Sequence, residues 1–433
     1  MTQAPAVPFR DGTAMAWPSR LDFLGLALIA ILLLTLSPLA LSQLGWQYFD
    51  TGGSAIEKFH PSTLLSGLLL LSIAARNRNP LNGLIALLQK NRELMPLIAA
   101  TTIMIAYSSL VLHLPYTMFI ETFIGAAMIY MLFRNLPGET CHKLALLIHI
   151  LMFANAALGF YEVFTGFRLT PLVINGEELP DETRATALLG HPLANAILAG
   201  AYVVMLATGG GRDLPAAVRP ICFVVAVASL VPFGGRAAAG FAILALIFIE
   251  GRRFWDVLHG SNIDLRAIVA SLVLIPLAGL ALVAAFEAGA LDTLIDRLFD
   301  DEGSASSRLE MFELFKYLNL NDVLFGPDPA VLGTWVRLHG LEYGIESFVV
   351  AFILNYGLLA TIIFYPPLCL FFLQLARVSR PGSGYAILYF LAVALTSVSL
   401  SSKSPTLAIF VLMLLVLLRP ARNGRSLHRY ATG

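Results

Sequence analysis

The chain has 433 residues, of which 58% are hydrophobic and only 13% charged, and its formal net charge is zero. A soluble domain carries about 25% charged residues, so a soluble enzyme is excluded. A neutral chain also leaves no basic footprint for nucleic acid. The three cysteines, Cys141, Cys222 and Cys369, are scattered and match no disulfide framework or zinc spacing.

Taken in order, the chain opens with a polar tail over 1–20 in which no cleavable signal peptide shows. Apolar runs of membrane-helix length follow. The pattern predicts an all-α polytopic membrane protein with about twelve spans, near 21–42, 61–75, 96–112, 117–133, 144–164, 192–208, 219–235, 237–250, 267–286, 346–376, 384–400 and 404–418. The first nine fall within 21–286. A long polar stretch at 287–345 then forms an extramembrane helical loop, the last three spans occupy 346–418, and a basic tail fills 419–433. With both termini inside, nineteen of the 28 lysines and arginines fall on the inner side and nine on the outer. The large loop and the 165–191 loop then face outward.

That topology makes the outer cations the unusual ones. Some, such as Arg168, Arg297 and Arg337, are expected to pair with nearby carboxylates. Arg236 differs. It sits in Pro232-Phe-Gly-Gly-Arg-Ala-Ala-Ala-Gly240 with no acid in the turn, and its glycines would let backbone approach a ligand closely. Snorkelling to lipid phosphate is the competing reading. Arg308 follows Ser304-Ala-Ser-Ser307, a helix N-cap signal before an amphipathic helix over 309–318. It is either an anion ligand in the first turn or a partner of Asp300-Asp-Glu302. Glu346 opens the tenth span, as a dipole partner of that helix or as a general base at the outer membrane edge.

Arg184, His191 and Asn195 lie in Thr183-Arg-Ala-Thr-Ala-Leu-Leu-Gly-His-Pro-Leu-Ala-Asn195, at the mouth of the sixth span. His191 precedes a proline and also fits a capping role. His339 and His60 are further outer histidines, and His339 joins the candidate substrate-binding set with Arg184, His191 and Asn195. Glu121, Glu162 and Asn155 read as interhelical hydrogen-bonding groups.

Four stretches together resemble the O-antigen ligase and polysaccharide polymerase superfamily. They are Arg184 to Asn195, Gly234-Gly-Arg-Ala237, Ser306-Ser-Arg308 with Phe325-Gly-Pro327, and Glu346-Ser347 followed, after nine intervening residues, by Gly357-Leu-Leu-Ala-Thr361. The resemblance covers about 150 to 418. It departs at Glu346, where the ligases carry histidine, and at Ala360, which replaces a glycine. Those departures favour a polymerase over a ligase.

The resemblance implies a GT-C-like glycosyltransferase of the bacterial inner membrane, with its active site facing the periplasm. Its donor would be an undecaprenyl-diphosphate-linked oligosaccharide, its acceptor a glycan, and a chain-length regulator its protein partner. Arg236 and Arg308 would hold the diphosphate, with Arg184 as a third cation, and Glu346 would deprotonate the acceptor in an inverting reaction without metal or cofactor. The alternatives are a ligase delivering finished glycan to lipid or protein, a flippase or permease, and a non-catalytic assembly subunit. The two guanidiniums and the Glu346 carboxyl are expected to share one outward cavity.

Overall fold

The computed structural model describes residues 19–49, 52–77, 79–174, 177–178, 183–260, 310–341 and 344–420. They are helical apart from one short antiparallel ladder that pairs Val173–Ile174 with Glu177–Glu178. Three helices are long and apolar enough to cross a membrane: Arg92–Leu110, Gly138–Thr165 and Leu358–Val378. Shorter apolar helices cover Pro61–Ala75, Phe119–Phe133, Pro192–Ala207, Val218–Phe233, Ser383–Ala394 and Thr406–Leu417.

Helix starts follow local chemistry. Ser19 and Asp22 form a reciprocal capping box at the head of Arg20–Thr35. Proline opens the helices at Pro38, Pro61, Pro80, Pro192 and Pro329, where its missing N–H costs nothing. In most of these the residue before the proline supplies the cap, as His60 and His191 do.

The Thr406–Leu417 helix is the centre of the bundle. Every one of its residues is buried, as expected of a helix that is apolar all round. It packs on Gly125–Phe133, Gly138–Thr165 and Pro192–Ala207. The outward faces of the surrounding helices are apolar too: Leu24, Leu28 and Ile31, Ile150 and Phe153, and Ile362, Ile363 and Leu370 are all exposed. So broad an apolar belt is unfavourable in water and favourable in lipid.

Polar groups collect where the helices end. Beyond Leu417, Arg419 meets the buried Asp213 at 2.8 Å, His142 meets the same carboxylate at 2.8 Å, and the Arg380 amide donates to the Leu418 carbonyl at 2.7 Å. Arg76 pairs with Asp22, and Arg134 with Glu93. The four arginines here, Arg76, Arg134, Arg380 and Arg419, belong to the set expected inside. At the other end of the central helix lie Lys403, His60 and the 184–191 segment.

Some expected elements differ. The run at 21–42 is broken between Thr35 and Pro38, because Ser37 caps a second short helix, Pro38–Gln43. The run at 237–250 belongs to a longer helix, Arg236–Leu258. The run at 346–376 is two helices, Phe348–Tyr356 and Leu358–Val378, which break at Gly357 (φ +82°). Phe325-Gly326 lies against that break. A Cβ on Gly357 would come within 2.5 Å of the Gly326 nitrogen and 2.6 Å of the Leu324 carbonyl oxygen. The span expected at 267–286 and the first part of the large loop lie outside the described residues.

The rest of that loop is helical, with Leu314–Tyr317, Leu320–Phe325 and Pro329–Leu338 in succession. Met311, Leu314, Leu332, Leu341 and Ile345 form a separate small core that rests on Val350, Ala351 and Leu354. The amphipathic pattern read over 309–318 is therefore met from Glu310 onward, with Met311 and Leu314 inside and Phe312 outside.

Candidate functional site

The site is built on the segment before Pro192, and a buried carboxylate holds that segment in place. Glu162, fully buried near the end of its helix, accepts the backbone N–H groups of Thr186 (2.8 Å), Ala187 (2.9 Å) and Leu169 (3.1 Å). The Thr186 hydroxyl donates onward to the Thr170 carbonyl at 2.7 Å. Arg168 stands 3.9 Å from Glu162 and donates to the Arg184 carbonyl. Ala187 takes a positive φ of 41°, an uncommon conformation for a residue with a Cβ. The Glu162 bonds on its own N–H and on its neighbour's fix it there.

Asn155 and Asn195 complete the scaffold. Asn155 donates to the Asn195 side-chain oxygen at 2.8 Å and accepts the Leu188 N–H at 3.0 Å. The Asn195 amide donates to the carbonyls of Thr186 (2.6 Å) and His191 (3.0 Å). Asn195 is fully buried, so its amide is spent within the protein. Asn155 thus acts as the interhelical group expected of it, whereas Glu162 bonds the loop segments beside its helix rather than another helix.

This scaffold sets Arg184 beside Arg236. The Ala185 N–H donates to the Pro232 carbonyl at 2.8 Å, which runs the Arg184 segment along the Pro232–Arg236 turn. A Cβ on Gly234 would lie 2.6 Å from Cγ and Cδ of Arg184, so the arginine stem rests on that glycine. Gly234 itself needs its hydrogen side chain for φ +62°. The close approach expected of this turn is made by Arg184. Gly235 packs on Ala196 of the Pro192–Ala207 helix. Arg236, exposed, is the first residue of the next helix.

On the other side of Leu189-Gly190-His191 lies a cavity of about 930 Å³. Its walls are the Leu36–Gln43 region, the start of the Pro192–Ala207 helix from His191, and the segment from Ser397 to Thr406. His191 both caps and lines. Its Nδ1 accepts the Leu193 N–H at 3.2 Å, which puts the ring proton on Nε2. Val398, on the third wall, touches Gly344, whose added Cβ would lie 2.8 Å from a Val398 methyl. Glu346 follows two residues later, half-buried, immediately before the cap Ser347 of the Phe348–Tyr356 helix. Two residues of chain reach at most about 7 Å, so Glu346 lies within that distance of the Gly344–Val398 contact, outside the residues that line the cavity.

The remaining sequence candidates are placed elsewhere. His339 meets Glu310 at 2.8 Å and faces the ring of Tyr317, which stacks on Trp335, so it joins the small core of the large loop. His60 is buried, caps its helix and contacts the Leu36 carbonyl at 2.6 Å, behind the first wall. Arg308 lies outside the described residues, as do Asp300, Asp301 and Glu302. Among the described residues no three His, Cys, Asp or Glu side chains are grouped to hold a metal ion.

In the sequence, Lys403 and its serines show no more than one of the nine outer cations among hydroxyls. Ser397, Ser399, Ser402, Lys403 and Ser404 all line the cavity. The signal was a hydroxyl-rich stretch with one lysine between two apolar runs. Compared with protein-family models and with curated proteins, the chain matches none.

Proposed function

We propose that the chain is a membrane glycosyltransferase that polymerises undecaprenyl-diphosphate-linked oligosaccharide repeats on the periplasmic face of the bacterial inner membrane. In this reading the chain has about twelve spans in a GT-C-like arrangement, with both termini cytoplasmic. The observation that carries it is the Arg184 stem lying on Gly234, two residues from Arg236. An arginine whose stem rests on the turn that carries a second arginine, in a largely apolar chain, suits a diphosphate, because each guanidinium can bind phosphate oxygens bidentately and neither can lose its proton.

The acceptor hydroxyl oxygen attacks the anomeric carbon of the donor sugar from the face opposite the diphosphate. The bond from that carbon to the diphosphate oxygen breaks, and its electron pair leaves with the diphosphate lipid. Arg184, Arg236 and Arg308 stabilise the charge that develops there. Glu346 takes the hydroxyl proton, and His191 contacts sugar in the cavity. Asn195 acts one step back, by positioning His191 through its carbonyl.

Alanine at Arg184, Arg236, Arg308 or Glu346, with protein level checked, tests the assignment. Each variant is expected to halt chain growth and leave single repeats on the final acceptor. Long glycans stranded on the lipid carrier would instead make the protein a ligase. Normal glycan in all four variants would remove the enzyme assignment.

A further inference from the structure

One buried-edge charge is not used by this mechanism. Lys403 Nζ donates to the Tyr48 carbonyl at 2.6 Å and stands 3.8 Å above the Tyr48 ring. Among the described residues no carboxylate lies within ion-pair distance of it. A carbonyl dipole and an aromatic face solvate an ammonium without neutralising it. Glu121, the carboxylate whose field reaches Lys403, is fully buried and already accepts from the His60 N–H (3.0 Å) and the Thr63 hydroxyl (2.6 Å).

The surroundings point the same way. Lys403 lines the 930 Å³ cavity beside the hydroxyls of Ser397, Ser399, Ser402 and Ser404, and no Asp or Glu is among the described residues lining it. The central helix starts at Thr406, whose N–H is met by the Ser404 hydroxyl at 3.1 Å, and both Pro405 and Thr406 line the cavity, so the positive end of that helix dipole stands at its wall. Burial also makes the ammonium easier to deprotonate, lowering its pKa to about 8. A charge kept at that cost, with no carboxylate at ion-pair distance among the described residues, is suited to a partner that arrives from outside.

We propose that this cavity binds an oxyanion, carboxylate or phosphate, with Lys403 as its counter-charge and the hydroxyls of Ser399 and Ser402 as hydrogen-bond donors, Ser397 and Ser404 being engaged with Ser399 and Thr406. The site is separate from the Arg184–Arg236 pair, since neither arginine lines the cavity. It rests on the preceding section only for the source of the anion, which is either an acidic sugar substituent or the diphosphate of a polyprenyl lipid.

The test uses the full-length protein in nanodiscs, with two probes: a polyprenyl diphosphate and a disaccharide containing a uronic acid. Binding of each is measured for the wild type, Lys403→Met and Lys403→Arg. Lys403→Met is expected to weaken one probe at least about tenfold, the loss of one charge-assisted contact, while Lys403→Arg retains most of the binding. The probe affected identifies the source. Wild-type affinity for both probes in Lys403→Met, or no binding of either by the wild type, overturns the site. If Lys403→Met does not fold, wild-type binding that stays constant from pH 7 to 10 overturns it instead. Loss of diphosphate binding on changing Lys403, but not Arg184 or Arg236, would sustain this site and defeat the arginine assignment.

Discussion

Replacing Glu162 with alanine should release the segment that carries Arg184 and His191. The carboxylate accepts from Leu169 on one oxygen and from Thr186 and Ala187 on the other. An unmet buried N–H costs about 1–3 kcal/mol. With partial rehydration of the freed loop, the three together come to roughly 3 kcal/mol at the low end of that range. At 1.4 kcal/mol per tenfold, this raises the population of the open segment about a hundredfold. Hydrogen exchange reads that directly, as a loss of protection of about two orders of magnitude at the amides of 186 and 187. Glutamine should fall between the two. Its carbonyl oxygen can keep the Thr186 and Ala187 bonds, but its NH₂ then faces the Leu169 N–H, donor against donor. Glycan synthesis should follow the same order, since misplacing a charged group by about 1 Å can cost a hundredfold in rate. Unchanged exchange at 186 and 187 in the alanine variant would refute the claim that Glu162 holds the segment.

Four further outcomes are expected. Arg184→Ala and Arg236→Ala should each lower polymer formation by about a hundredfold to a thousandfold, the usual effect of removing one stabiliser of developing charge; a single-turnover assay with lipid-linked donor measures it, and lysine at either position should restore only part because it cannot bind bidentately. Changing Asn155 and Asn195 to alanine together should cost less stability than the sum of the single changes, because they share a hydrogen bond; a double-mutant cycle on thermal unfolding in detergent checks the coupling. Gly357→Ala should destabilise the protein by several kcal/mol on the order of backbone strain plus steric conflict, since its φ is +82° and the new Cβ meets the Gly326 backbone; protease cutting near 325–327 should accelerate. Lys403 should produce two opposite pH trends above its lowered pKa of about 8: anion binding falls, while stability rises toward the ordinary lysine value, because there the unfolded chain binds the extra proton. Glu121, Lys58 and Tyr48 face Lys403 and stay in place in Lys403→Met, so that variant should lose both trends.

Much of the helical layout could be read from apolar runs and proline starts, because both are local. Pro61 and Pro192 each open a helix where the pattern placed one, and Asn155 took the interhelical role that isolated polar groups in apolar runs usually take, while Glu162 turned to the loop beside its helix. What escaped was set by contacts distant in sequence. The break at Gly357 looks like a continuous apolar run until Phe325-Gly326 is laid against it. The break after Thr35 is hidden because the residues on both sides are apolar, and only Ser37 and Pro38 mark it. Gly234 advertised a close approach, but one sequence could not say that the approaching group is a side chain from fifty residues upstream. Lys403 was harder still. Its type was visible, yet its lack of a carboxylate partner among the described residues depends on where Glu121 has already spent its oxygens.

The same distribution of polar groups bears on the choice between the proposed enzyme and a transporter. A transporter carries ionisable side chains near the middle of the membrane, on helices that can part around a substrate. The central Thr406–Leu417 helix has no ionisable residue and is buried along its whole length, so its apolar wall gives a solute no polar step from one end to the other. The cations and hydroxyls of the candidate site stand at its Thr406 end, while Asp213, His142 and Arg419 form a closed ion-paired latch at its Leu417 end. Breaking that latch with Asp213→Asn would leave Arg419 and His142 without their shared counter-ion. In an enzyme this should lower thermal stability and leave lipid-linked donor turnover per folded molecule unchanged. In a transporter the latch is a gate, and the same change should alter the rate at which a lipid-linked sugar crosses a sealed proteoliposome. Measured crossing that depends on Asp213 would therefore overturn the enzymatic reading, whatever the arginine variants do.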